Sequence, residues 1–318
     1  MKAAIVESFA KPPRYSDFPE PTLLDDEVLV SVTASALSTL VKGQASGRHY
    51  SSATVFPFVP GVDGVGRLAD GTRIYFGFPR PPYGAMAELV PVQSRLTVAL
   101  PDDLDDITAA AIANPGMSSW AGLAERARLV PGESVLINGA TGVAGRLAVQ
   151  IAKYLGAKYV VATGRNPAAL ATLPSLGADA VIALDQAADM EPVFRKAMGD
   201  FGVNVVLDYL WGPSAEQIIS SIAGHGSPAG EPRVRYVQVG SMSGTTISMP
   251  AGALRSSGLE LLGTGLGSIS YVRLVANIGN LMAAVVPGGL QVSADPVPLR
   301  DVETAWTSES GGRIVFTI

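Results

Sequence analysis

From Ser134 onward, short runs of β-branched and apolar residues alternate with longer segments whose apolar positions recur at helical spacing. That alternation predicts βαβ units wound around a parallel sheet. The predicted strands are 135–137, 159–162, 180–183, 203–207, 236–239 and 259–262, which fit one doubly wound α/β sheet. Between the first two, the segment 145–156 places Leu147, Ala148, Ile151, Ala152 and Leu155 on one helical face. Asn166-Pro167 reads as a helix start, with an N-cap residue followed by proline at the first helical position.

Before about residue 115 the pattern changes. Short strands at 3–6, 27–34, 66–68, 72–76 and 86–90, broken by proline and glycine, predict an irregular, mostly antiparallel barrel or sandwich. The last fifty or so residues add a helix, strands and a closing β-run at 313–318, which complete this first domain after the chain crosses back. The expected division is therefore 1–115 with 267–318, and 116–266 between them. The longest uncharged stretch, 274–294, contains Asn277, Asn280, Pro287, Gly288 and Gly289, which a lipid-exposed helix carries only at a cost. It is expected to be a buried or interface helix followed by a turn. Residues 223–232, rich in glycine, proline and serine, are a loop candidate.

A chain of 318 residues suits two domains. With 47% hydrophobic and 16% charged residues, and a mean hydropathy of +0.30, intrinsic disorder is excluded by composition. Twenty-three basic against 28 acidic residues leave a net charge of −5, which argues against nucleic acid or an anionic membrane as a partner. Cysteine is absent, so disulfides, thiolate catalysis and Cys-ligated metal sites are removed together. His49 and His225 are the only histidines and no HExxH spacing accompanies them, so no metal site is expected. The first residues reach Glu7 before an apolar run forms, unlike a secretory leader, and a cytoplasmic location is expected.

The chemically informative segment is Val135-Leu136-Ile137-Asn138-Gly139-Ala140-Thr141-Gly142-Val143-Ala144-Gly145-Arg146-Leu147. A strand runs through small residues into a helix, the context a dinucleotide fingerprint requires. Gly142 lets the backbone lie against a pyrophosphate, the helix N-terminus offers unpaired N–H groups, and Gly145 allows close packing on the strand. The first glycine slot holds Ala140, and a tight turn without a ligand is the plainer alternative. At the end of the second strand stand Thr163, Gly164, Arg165 and Asn166, with no acid between Lys158 and Asp179. A site for NADH wants an acid near there, whereas Arg165 suits a 2′-phosphate, so NADPH is the expected cofactor.

With these residues assembled, the chain resembles the medium-chain dehydrogenase/reductase superfamily, in its zinc-free quinone oxidoreductase and enoyl reductase branch. The resemblance covers nearly the whole chain. It is carried by Pro60-Gly61-Val62-Asp63-Gly64-Val65-Gly66, the run 109–123 containing Gly116-Met117-Ser118-Ser119-Trp120, and the glycine loop. Leu176-Gly177-Ala178-Asp179, Val205-Val206-Leu207-Asp208-Tyr209-Leu210-Trp211-Gly212 and Gly312-Arg313-Ile314-Val315 carry it further. It implies a GroES-like catalytic domain formed by both chain ends, a Rossmann domain between, and a homodimer. It also implies that Thr141, Gly142 and Val143 face the pyrophosphate, and that Gly164, Arg165 and Asn166 meet the adenosine phosphate. Tyr209 and Leu210 would border the adenosine half; Val239, Gly240, Ser241, Leu266 and Gly267 the nicotinamide half; and Ser118 the nicotinamide ribose or phosphate. The zinc-bearing branch has Cys where this chain has Ser38, and His-Glu where it has Val62-Asp63; many quinone reductases have Asn at the Ser38 slot and Asp where this chain has Val41.

The expected chemistry is hydride transfer from NADPH to a small electron acceptor: a quinone, an enone or an enoyl thioester. An enone or enoyl thioester also needs a proton at its α-carbon, and Tyr50 is the candidate donor by the resemblance, with Ser38 a second catalytic candidate. A zinc-free carbonyl reductase and a non-catalytic NADPH-binding protein are the alternatives. Gly240-Ser241-Met242-Ser243-Gly244 has Met where a nucleophile elbow needs Ser, which argues against a serine hydrolase.

Overall fold

The six β-rich runs of the central segment form the strands Ser134–Asn138, Val160–Gly164, Ala180–Ala183, Val203–Asp208, Arg233–Gln238 and Gly258–Gly263. Counted first to sixth along the chain, they lie in the order 3-2-1-4-5-6, and every neighbouring pair is parallel. The order reverses between the first and fourth strands, which opens a crevice at their carboxyl ends. The first strand is buried throughout because its Val135, Leu136 and Ile137 are covered on both faces. The helix Val143–Tyr154 buries Leu147, Ala148, Ile151 and Ala152, the face anticipated from their spacing. Leu136, Val161, Phe194, Val206, Ile218 and Tyr236 share one core cluster.

The computed structural model describes residues 1–49, 51–52, 55–185, 189–223, 232–308 and 311–318. The loop expected at 223–232 therefore lies, except for its two ends, outside the described residues. The chain divides into two compact units, Met1–Asn114 with Ser270–Ile318, and Pro115–Ile269. The fifth strand starts at Arg233 rather than 236, because two arginines hide it from an apolar pattern. Arg233 pairs with Glu260 on the sixth strand at 2.6 Å. Arg235 is buried, donating to the carbonyls of Ala127 and Arg128 and pairing with Glu133.

In the unit formed by both chain ends, a mixed, mainly antiparallel sheet runs Ala294–Pro298, Arg313–Thr317, Glu27–Ala36, Asp63–Arg67, Arg73–Gly77, Thr97–Ala99, with Leu89–Gln93 also paired to Glu27–Ala36. Only the first of these pairs is parallel. Lys2–Ile5 and Arg14–Asp17 form a separate two-stranded sheet. The expected strands 66–68 and 86–90 are displaced by a few residues, and those at 14–17 and 97–99 were not anticipated. Short strands broken by turns carry little periodicity with which to set their ends. Helix Tyr271–Val285 begins three residues before the uncharged stretch, where the Ser270 hydroxyl accepts the Arg273 amide. Among the described residues no helix is long and apolar enough to cross a membrane.

Candidate functional site

At the carboxyl end of the first strand, Gly139 takes φ +92° and starts the turn that Gly142 ends as N-cap of the helix Val143–Tyr154. Gly142 brings no side chain to cap the first helical amides, and a Cβ placed on it would meet nothing within 4 Å. Val143, next to it, is exposed. The turn therefore leaves helix N–H groups and their partial positive charge facing open space. Gly145 is the opposite case: a Cβ there would lie 2.3 Å from the Gly139 carbonyl oxygen and 2.5 Å from the Ala140 Cα. Gly145→Ala is thus expected to push the helix off the turn at a cost of about 1–3 kcal/mol. Gly142→Ala should stay within about 0.5 kcal/mol of the parent. Urea unfolding of both variants checks this, and equal losses would mean the two glycines do not differ in role.

A buried polar network fixes the turn. The Gly139 amide donates to Thr163 Oγ1 at 3.0 Å, Thr163 donates to Asn138 Oδ1 at 2.8 Å, and Asn138 Nδ2 donates to Asp208 Oδ1 at 2.7 Å. Asp208 also accepts from the Leu210 and Trp211 amides and from the Tyr236 hydroxyl at 2.7 Å. Burial raises the Asp208 carboxyl above its ordinary range, while these donors pull it back. Trp211 sits at φ +58°, ψ −157°, a region nearly reserved for glycine, and its amide is held by the Asp208 carboxylate. Carboxyl ends of the first, second, fourth and fifth strands are thereby tied together. The sequence signal for these polar roles is an amide or acid that ends an otherwise apolar strand, as Asn138 and Asp208 do.

The sequence-predicted positions fall as follows. Gly164 lies against the Thr141 side chain, which a Cβ would meet at 2.4 Å. Arg165 follows it, exposed, and Asn166 caps the next short helix by accepting from the Ala169 amide. Leu210 covers Gly139. Arg165 and Leu210 line one concave site with Leu184, Asp185, Met190 and Phe194, residues that follow the second, third and fourth strands. Tyr209 instead points inward: its hydroxyl lies 2.7 Å from Ser119 Oγ and is buried, which pushes it up to about 12. Ser118 donates to the Pro115 carbonyl at 2.9 Å. Val239 and Gly240 donate their amides to the Asp208 carbonyl at 2.7 and 3.1 Å, and Ser241 beyond them is exposed. Leu266 bridges to Ile269, with Gly267 between them at φ +94°.

Ser38, in the unit of both chain ends, is buried and caps the helix Thr39–Ala45, its hydroxyl accepting the Val41 amide at 3.1 Å. Tyr50 lies outside the described residues. Asp63 is buried, accepts from the Tyr75 hydroxyl at 3.1 Å, and has the Arg313 guanidinium as its charged neighbour. This donor set does not suit zinc, which wants three protein ligands: the chain has no cysteine, and the described residues hold no group of three His, Cys, Asp or Glu placed to bind a metal.

The fold and crevice define a Rossmann-type dinucleotide-binding domain in one chain with a β-rich unit. Residues 144–278 match the family described as zinc-binding dehydrogenase. A probable NADPH-dependent quinone reductase of Emericella nidulans is 28% identical over 99% of both chains. The 2-methylene-furan-3-one reductase of Solanum lycopersicum is 31% identical over 51% of this chain and 46% of its own. The quinone oxidoreductase of Thermus thermophilus, solved alone and with NADPH, superposes over 100% of both chains with a TM-score of 0.79 and 26% identity. Over its whole length the chain is thus similar to quinone reductases, and over 144–278 to zinc-binding dehydrogenases.

Proposed function

We propose that this protein is an NADPH-dependent oxidoreductase that passes hydride to a quinone or an α,β-unsaturated carbonyl compound. The observation that carries this reading is the open helix N-terminus at Gly142, with Arg165 at the neighbouring strand end. When bound, NADPH supplies the hydride, and with one proton from solvent this converts a quinone to its hydroquinone. The chain's own part is placement. The amides of Gly142 and Val143 hold the pyrophosphate, Arg165 the 2′-phosphate, and Val239, Gly240, Ser241, Leu266 and Gly267 border the nicotinamide half. Ser118 orients the nicotinamide ribose. Tyr50 is the proposed proton donor to an enone, and Ser38 the second catalytic candidate, in the GroES-like catalytic domain assigned to the chain ends. The named activities of the Emericella and Solanum relatives support the acceptor class.

A homodimer and a cytoplasmic location belong to the same reading. The sixth strand of the parallel sheet is an edge strand, with Leu261 exposed on it, and such an edge invites a second copy.

Fluorescence titration is expected to show tighter binding of NADPH than NADH, and Arg165→Glu to weaken NADPH by at least about tenfold and reverse the preference. Oxidation of NADPH should follow addition of a quinone or an enone. Equal affinities in the parent would remove the phosphate role of Arg165. Binding without turnover of quinones, enones or aldehydes would make the chain a non-catalytic NADPH-binding protein.

A further inference from the structure

The second and third strands end side by side. Ala183 stands opposite Gly164 in the parallel register, and the Leu184 amide donates to the Gly164 carbonyl at 2.8 Å. The residues that leave the sheet next, Arg165 on one strand and Leu184-Asp185 on the other, line the same concave site. Its floor is apolar, from Leu184, Met190, Phe194 and Leu210, and the oxygen of Gln217 is already taken by the Met190 amide at 3.0 Å. Among the described residues, the formal charges that line it are one cation, Arg165, and one anion, Asp185. Both residues are exposed, so their action on a ligand is electrostatic and screened by salt.

Taking the nucleotide site as read above, we propose that Asp185 is a second determinant of coenzyme choice, opposing Arg165: its carboxylate repels the 2′-phosphate of NADPH and does not disfavour NADH. The selectivity of the site is then a difference between two opposed charges.

Titrations of the full chain with NADPH, NADH and 2′,5′-ADP, at low and high salt, test this in the parent, Asp185→Asn and Asp185→Ser. Removing the carboxylate is expected to tighten NADPH and 2′,5′-ADP about five- to tenfold, shift NADH by less than about twofold, and lose part of the gain as salt rises. Agreement of the two variants, with circular dichroism unchanged, separates the charge effect from misfolding. Unchanged NADPH affinity overturns the role of Asp185 while leaving the nucleotide site intact. Joint weakening of NADPH and NADH does the same and assigns the carboxylate to the adenine amine. A parent chain that binds none of the three nucleotides overturns the nucleotide reading, and this proposal with it.

Discussion

Asp208→Ala is expected to cost about 3–5 kcal/mol of stability and to abolish nucleotide binding in the assays above. The carboxylate accepts from Asn138 Nδ2, the Leu210 and Trp211 amides and the Tyr236 hydroxyl, and is fully buried. Alanine offers none of these donors a partner, and each buried donor left unmade costs about 1–3 kcal/mol, with non-additive sums. Trp211 adds to the loss, since its unusual backbone angles persist only while its amide is held. The helix turn moves with it, because Asn138 links Asp208 through Thr163 to the Gly139 amide. Asp208→Asn should recover about half of the stability, as its oxygen still accepts from the two amides while its NH₂ donates to the Tyr236 oxygen. Urea unfolding with a parallel NADPH titration measures both. An alanine variant within about 1 kcal/mol of the parent, with unchanged affinity, would show that the network does not hold the turn.

The same residues explain how much of the molecule was readable in its sequence. Five of the six central strands agree with their expected positions to within about two residues at each end, because buried parallel strands are continuous apolar runs and the helix between the first two repeats every three to four positions. Arg235 shows the limit. A buried arginine that satisfies the carbonyls of Ala127 and Arg128 reads as a surface charge in one dimension, and it moved the start of the fifth strand.

The ends of the helix Asp106–Trp120 are not legible in the sequence. Pro115 inside it, and the change to a π-helical turn at Ala121–Ala127, break the signals that delimit helices.

At the site, glycines were the readable part because close approach admits no other residue: Gly145 against Gly139 is decided by sterics alone. Tyr209 shows the reverse. Its place after the fourth strand is legible, but the direction of its hydroxyl depends on Ser119, ninety positions away. The acid expected for an NADH site was sought after the second strand, whereas Asp185 enters the same hollow from the third. Register between neighbouring strands, which places Leu184 beside Arg165, is not contained in either segment by itself.

Arg313→Met is expected to leave a stability gap from the parent that is constant below about pH 6 and widens above it, by about 1.4 kcal/mol for each pH unit. Burial raises the Asp63 carboxyl to about 6, against the pull of Arg313 and the Tyr75 hydroxyl. Burial likewise lowers Arg313, whose Nε and Nη2 are buried with no hydrogen-bond partner among the described residues. In the unfolded chain Asp63 titrates near 3.8, so between there and about 6 the folded state holds the extra proton and stability falls as pH rises. Above about 6 the parent has lost all it will lose on this account, about 3 kcal/mol. Removing the guanidinium raises the folded carboxyl further, so the variant goes on losing stability where the parent no longer does. Below about pH 6 Asp63 is protonated in both folded proteins, and taking away a buried cation with two unpartnered nitrogens among the described residues costs little or stabilises. Unfolding midpoints at pH 5, 6, 7 and 8 decide the matter: a gap of the same size at all four values would mean that Arg313 does not set the ionisation of Asp63.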